Sequence, residues 1–265
     1  MPERVVVLLS GSEVGTLERE GDAEPTFTYL PQYVADGDVA LSAMLPIQTA
    51  VHPAPRVRPY LAGLLPENAS TRQAWAAQLG VDASDAFSIL ARMGWDCPGA
   101  VQFCREEDLD ELHARSQQYE PASDEEIGHR IRALAAGEPS WTTQDEHWSL
   151  GGQQQKFALT WRPGGWNAAH GSAATTHIVK PGISSLHHQA LLEHLTMTAA
   201  AALGVDAATT EFARFDGEWA IVIERFDRAV VDSRIARIPQ EDFALACGRM
   251  PHQKHESNDG PAWQT

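Results

Sequence analysis

The residues whose types could do chemistry gather in one stretch, Ser149-Leu150-Gly151-Gly152-Gln153-Gln154-Gln155-Lys156, and in two charges beyond it, Lys180 and Glu193. Paired glycines ahead of a strand make a loop whose backbone N–H groups can approach an anion without a side chain in the way. A lysine on a neighbouring strand can neutralise that anion, and a glutamate on the next helix can hold the lysine in place. Together they describe a site that binds a chain of phosphates. Gly-Gly alone is an ordinary turn signal; the order of the residues after it gives it weight.

The elements that must position these residues are legible downstream of the loop. Phe157, Leu159 and Trp161 alternate as a half-buried strand would. Pro163-Gly164-Gly165 breaks that strand, and Thr175-Thr176-His177-Ile178-Val179-Lys180 is the next β-like run. His187 to Leu203 predicts a helix with Leu191, Leu192, Leu195, Ala199 and Ala202 on one stripe, closed by Gly204. Strands are expected over Thr209 to Phe215 and Trp219 to Glu224, joined by a hairpin turn at Asp216-Gly217. Arg225-Phe226-Asp227-Arg228 leaves the sheet, Ile235 to Ile238 is a short strand, and Ala244 to Cys247 is helical. Glycine loop, strand, lysine strand, helix, hairpin and connecting segment follow the order of a protein-kinase small lobe, in which a strand lysine pairs with a helix glutamate.

The first half reads differently. Residues 1–58 form a small, mostly β unit with long proline-punctuated connections. A helical region begins near Leu61, Ser70 to Gln73 cap a helix through Leu79, and Asp82 to Ala91 is a second helix capped by Ser84 or Asp85. Residues 99–103 return to a strand. Between the halves lie two acidic runs and a surface helix near 123–136. Trp141 and Trp148 flank the approach to the loop. The division is 1–105 as a β-rich subdomain with short helices, 106–140 as an acidic linker and helix, and 141–265 as a small lobe with its hinge.

Composition removes several classes. With Lys+Arg 20 against Asp+Glu 36 and a net charge of −16, the chain lacks the basic face that direct nucleic-acid binding needs, though a basic protein partner would suit it. Hydrophobic residues at 43% supply a core, and no apolar run reaches the ~20 residues of a membrane span. Cys97, Cys104 and Cys247 fit reduced thiols in a cytoplasm. His187, His188, His194, His252 and His255 lack the partners of a zinc site, so no metal site is expected. There is no Walker loop and no nucleophile elbow around Ser149.

The motifs together resemble the HipA-type serine/threonine kinase toxins of bacterial toxin–antitoxin modules. Ser149-Leu150-x-Gly152-x-Gln154-x-Lys156 is similar to the family's loop, and Thr176-His177-Ile178-Val179-Lys180-Pro181 to its lysine strand. Glu224-Arg225-Phe226-Asp227-Arg228 and Pro239-Gln240-Glu241-Asp242-Phe243 also resemble it, as do residues 64–68 and 99–103, so the likeness spans nearly the whole chain. The resemblance implies that Leu150, Gly151, Gly152, Gln153 and Gln154 cover the phosphates of ATP. It implies that Lys180 contacts them, that Glu193 orients Lys180, and that Glu241 and Phe243 offer hinge backbone groups to adenine. Ser149 matches the serine whose autophosphorylation ejects the loop and switches such kinases off. A basic, DNA-binding antitoxin is the implied partner, and a protein of translation the implied substrate.

One departure is large. The family's Asp-Gly-x-x-x-Asn catalytic loop and metal-binding Asp are absent before Thr265, and Asp259-Gly260-Pro261 is not that loop. The expectation is therefore an α+β protein: a β-rich N-terminal subdomain, then the small lobe and hinge of a HipA-like kinase, with the helical large lobe missing. The chain reads as a truncated relative or pseudogene product, or one completed by another chain. It is expected to lack its own Mg²⁺ ligands and to transfer little or no phosphate, to itself or to others. The alternative is a non-catalytic module that binds an antitoxin or other partner and retains a nucleotide site.

Overall fold

The computed structural model describes residues 2–138, 145–183, 185–258 and 260–261. Trp141 and Asp259 lie outside the described residues. The N-terminal unit is a four-stranded antiparallel sheet in the order β3-β2-β1-β4, from β1 (Glu3–Leu9), β2 (Ser12–Arg19), β3 (Thr26–Tyr29) and β4 (Val101–Arg105). Its long excursion between β3 and β4 carries α1 (Pro31–Asp36), α2 (Ala54–Gly63), α3 (Ala69–Leu79) and α4 (Ala86–Met93).

Local chemistry moves two of the expected helix starts and selects one of the two expected caps for a third. α2 begins at Ala54, seven residues before Leu61, because Pro55 lies in its first turn, where a missing N–H costs nothing. α3 is capped by Asn68, whose side chain accepts the Thr71 N–H at 3.1 Å, so Ser70 is inside the helix and is not its cap. α4 is capped by Asp85 through the Ser88 N–H.

The second unit is a six-stranded antiparallel sheet in the order β5-β7-β6-β8-β10-β9. Its strands are β5 (Gln118–Pro121), β6 (Phe157–Arg162), β7 (Gly165–His170), β8 (His177–Pro181), β9 (Thr210–Phe215) and β10 (Glu218–Glu224). Asp216 at φ +44° and Gly217 at φ +89° turn β9 into β10, as the hairpin signal required. The segment expected to be a linker supplies α5 (Leu109–Ala114), the edge strand β5 and α6 (Asp124–Ala135), which opens on a Ser123–Glu126 capping box. β6 is buried on both faces from Phe157 to Thr160 and so is not half-buried there; Trp161, at 53% exposure, and in part Arg162 reach solvent. Alternate residues of β10 serve opposite layers: Ala220 and Val222 join the main core that includes Ile127 and Ile131 of α6, while Ile221 and Ile223 meet Ala190 of α7 (Gln189–Ala202).

α7 is rotated from its expected pose. Leu192 and Leu195 are 56% and 52% exposed, and Ala190 is the residue it buries among those described. Polar pairs set the rotation: Glu193 meets Lys180, and His194 Nδ1 lies 2.8 Å from the Thr210 hydroxyl. A hairpin of β11 (Arg228–Val231) and β12 (Arg234–Arg237) and the one-turn helix α8 (Phe243–Ala246) follow. The three cysteines are free thiols, with Cys247 exposed.

One apolar core runs through both units, from Val5 and Leu61 to Trp148, Phe157, Val179 and Val222. A buried ion cluster closes the seam. Asp96, from the N-terminal unit, meets Arg225 at 3.3 Å, Arg228 at 2.9 Å and Arg237 at 2.9 Å, and accepts the Thr175 N–H and hydroxyl. Asp227 pairs with Arg225 at 2.8 Å and Arg228 at 3.0 Å, and accepts the Gly99 N–H. Burial alone would raise the Asp96 carboxyl, but Arg228, Arg237 and Arg225 outweigh it and hold the group well below the usual carboxylate range.

Candidate phosphate-binding cleft

The glycine loop rests on the N-terminal unit. Ser149 is fully buried, its hydroxyl donating to the Leu64 carbonyl at 2.6 Å and its N–H to the Asp96 carbonyl at 3.0 Å. A Cβ on Gly151 would stand 2.7 Å from the Gly63 carbonyl oxygen, so only glycine permits this approach. Gly152, at φ +99°, bridges to Pro66, and its carbonyl accepts the Glu67 N–H at 3.1 Å. The Glu67 carboxylate completes the seat by accepting from Gln153 at 3.1 Å and from Lys254 at 2.7 Å. Gln154 is turned the other way, donating to the Pro181 carbonyl at 2.8 Å and to Gln189.

Below the loop lies a cleft of about 500 Å³, walled by both units. Leu150, Gly151, Gly152, Lys156, Lys180, Glu193 and Glu241 line it. Ile178, Met197, Ala208 and Ile223 give it an apolar wall. Ser149, Gln153, Gln154 and Phe243 are not among the lining residues; the first three brace the loop from behind or beside it. Asp242 caps α8 through the Ala244 N–H, which leaves the Phe243 side chain 74% exposed and its carbonyl bonded to the Cys247 N–H. The Glu241 carboxylate is drawn away to the Ser42 hydroxyl and the Ala43 N–H.

The cleft's charge was the feature the sequence reading missed. The chain has three lysines, Lys156, Lys180 and Lys254, and all three line this one cleft. Every other basic side chain of fixed charge is arginine. Counting lysines would have found the site, because compact ammonium groups suit phosphate binding as point charges. Lys180 pairs with Glu193 at 2.9 Å, and Lys254 with Glu67 at 2.7 Å. Lys156 has no ion pair among the described residues and donates only to the Gly151 carbonyl at 2.9 Å. Burial pushes its ammonium down to about 8, with the nearby Lys180 charge adding to the effect. Carboxylates line the cleft as well, Glu67, Glu193, Glu224, Asp227, Glu241 and Asp242 among them.

Two family profiles cover most of the chain: the HipA N-terminal domain matches residues 5–104, and the HipA-like C-terminal domain matches residues 148–264. The chain belongs to the HipA family. It is 33% identical over 258 residues to Y4mE of Sinorhizobium fredii, a kinase by name, covering 96% of this chain and 61% of that protein. The serine/threonine-protein kinase toxin HipA of Shewanella oneidensis is 29% identical over 203 residues, or 76% of this chain and 45% of that one. A chain in the solved complex of Shewanella oneidensis HipA, HipB and operator DNA matches with a TM-score of 0.78 and 26% identity, covering 97% of this chain and 59% of that chain. This HipA-family chain thus spans about half to three-fifths of its relatives' length.

Among the described residues, no group of three His, Cys, Asp or Glu side chains is arranged to hold a metal ion. Glu193, Glu67 and Asp227 in the cleft are held by Lys180, Lys254 and two arginines. Glu224, Glu241 and Asp242 line the cleft as well, and its three lysines are of a type that suits a phosphate chain. No described helix is long and apolar enough to cross a membrane.

Proposed function

We propose that this chain is the nucleotide-binding part of a HipA-type serine/threonine kinase toxin acting in the cytoplasm. The observation that carries the reading is the convergence of all three lysines on one cleft beneath a glycine loop. ATP fits it in one sense: the loop N–H groups and Lys180 meet the phosphates, and the apolar wall of Ile178, Met197, Ala208 and Ile223 takes the base. ATP supplies the transferable phosphoryl group; the protein's part is to hold and neutralise it. Glu193 orients Lys180, Glu241 contributes hinge backbone, and Ser149 is the residue whose phosphorylation unseats the loop. The partner is a HipB-like antitoxin, in line with the solved complex of a relative, and the substrate is a protein of translation. Direct DNA contact is left to the antitoxin, since the acidic surface repels phosphate away from the cleft.

The test is an ATP titration. Lys180→Ala is expected to weaken affinity tenfold to a hundredfold, or about 1.5–3 kcal/mol, by removing a charge-assisted contact. Unchanged affinity in a folded variant would overturn the assignment. Affinity is also expected to fall as pH rises. Phosphates favour the charged form of Lys156, which is half lost near pH 8 in the free chain. Isothermal titration from pH 6.5 to 9.5 should show a plateau and then a decline approaching tenfold per pH unit. A flat profile would remove Lys156 from the phosphate site.

A second reading rests on the engaged carboxylates: the chain binds nucleotide and partner without transferring phosphate. Phosphate appearing on Ser149 after incubation with ATP and Mg²⁺, read by mass spectrometry against Ser149→Ala, would overturn that second reading.

A further inference from the structure

The two lysine–glutamate pairs of the cleft are built differently. Lys180 gives Glu193 one contact, at 2.9 Å to Oε1, and Gln189 takes the other oxygen of Glu193 at 2.9 Å. One of the three Lys180 N–H donors is spent on the carboxylate. Lys254 straddles Glu67, at 2.7 Å to one oxygen and 2.9 Å to the other, which spends two of its three donors. Lys180 and Glu193 stand on a strand and a helix, β8 and α7. Glu67 and Lys254 stand on connecting segments: the link between α2 and α3, and the stretch after the turn Pro251–Gln253. Glu67 is also tied to the glycine loop, by its N–H on the Gly152 carbonyl at 3.1 Å and by Gln153 on its carboxylate at 3.1 Å. We infer that Glu67 competes with phosphate for Lys254: it holds that ammonium in the empty cleft, a bound polyphosphate takes it over, and Glu67 thereby sets the affinity of the site.

The inference rests on the phosphate-binding reading above and deepens it. Only ion pairs exchange; no covalent bond is made or broken. An ammonium offered a carboxylate and a triphosphate goes to the anion of greater charge. The pair is within reach of such an exchange, since both residues line the cleft and the Lys254 side chain is 31% exposed. When Lys254 leaves, Glu67 keeps Gln153, and its main-chain bond to Gly152 is untouched, so the loop keeps this part of its seat. The carboxylate left behind faces the incoming charge. Glu67 therefore opposes binding twice, by withholding a cation and by repelling the anion that draws it off. Its role is the reverse of the one Glu193 has, which holds Lys180 while leaving most of its donors to the ligand.

The experiment titrates ATP and, separately, inorganic tripolyphosphate into the full chain, Glu67→Gln, Lys254→Ala and the double variant. Glu67→Gln keeps the side-chain size, an oxygen for Gln153 and the N–H to Gly152, and removes the charge. It is expected to bind both anions about fivefold more tightly than the parent, the order that one part-exposed ion pair is worth. Lys254→Ala should bind more weakly than the parent, and adding it to Glu67→Gln should erase the gain. A Glu67 that only braces the structure predicts the opposite sign. Parent-like or weaker binding by Glu67→Gln would overturn the inference. A second measurement needs no variant. Zero-length carbodiimide coupling of the parent should join Glu67 to Lys254 in the empty chain, read by peptide mass spectrometry. Saturating tripolyphosphate should suppress that product relative to the Glu193–Lys180 product in the same sample; an unchanged ratio would count against the exchange. If tripolyphosphate binds as tightly as ATP, the nucleotide reading fails while the competition by Glu67 is still decided by these signs. If neither anion binds, both fall.

Discussion

Asp96→Ala is expected to destabilise the fold by about 3–5 kcal/mol, the cost of removing one member of a buried charge network. The carboxylate is 1% exposed and lies among Arg225, Arg228 and Arg237. Without it, Arg225 and Arg228 keep Asp227, and Arg237 is left with the Trp95 and Ser172 carbonyls. The arginines belong to the second unit and Asp96 to the first, so the loss falls on the seam between them. Its backbone carbonyl also receives the Ser149 N–H, which links the seam to the glycine loop. Denaturant unfolding of the variant against the parent is the measurement, with Asp96→Asn as a milder comparison. A change below about 1 kcal/mol would mean that the cluster relaxes into solvent and does not bind the units. The carboxyl is held low in the folded state, so its contribution is full above the ordinary carboxylate value near 4 and declines as pH falls below it.

Ser149→Asp is expected to expel the glycine loop and lower ATP affinity more than a hundredfold. The serine hydroxyl donates to the Leu64 carbonyl from a position with no solvent contact. An aspartate there sets a second acceptor against that carbonyl and buries a charge, a cost of several kcal/mol. The chain avoids it by lifting residues 148–152 from their seat. Ser149→Ala loses only the hydrogen bond, about 1 kcal/mol, and should keep the loop in place. Hydrogen exchange over residues 148–156 and an ATP titration report the two consequences separately. An aspartate variant that binds ATP within threefold of the parent would show that the loop does not need this seat.

The sequence made the loop, Lys180 and Glu193 legible because each follows from local pattern: glycines before a strand, a lysine at a strand end, a glutamate on a helix. The Lys180–Glu193 pair forms at 2.9 Å as those patterns suggested. The Asp96 cluster was invisible because its partners are 129 to 141 positions apart, and no short-range rule connects them. β7 was missed because Gly-Trp-Asn-Ala-Ala-His has few branched residues and follows a turn that reads as a break. Its place is set by neighbours on both sides, β5 and β6. The leucine stripe of α7 misled in the other direction, since two polar pairs outweighed periodicity in fixing which edge faces the sheet.

The seat of the glycine loop has a consequence for how this protein can vary. Its contacts fall largely on main-chain atoms of residues 63–67: the Ser149 hydroxyl on the Leu64 carbonyl, Gly151 packed close to the Gly63 carbonyl, the Pro66–Gly152 bridge, and the Glu67 N–H on the Gly152 carbonyl. Such a seat is written in the path of the backbone more than in the identity of residues 64–66. An alanine scan across those positions would report the buried Leu64 and Leu65 side chains lost from the core and say little of the seat itself, whereas inserting or deleting a single residue between α2 and α3 would misalign every contact at once. The Leu64 and Leu65 side chains are held by the core, while the number of residues separating the two helices is held by the seat.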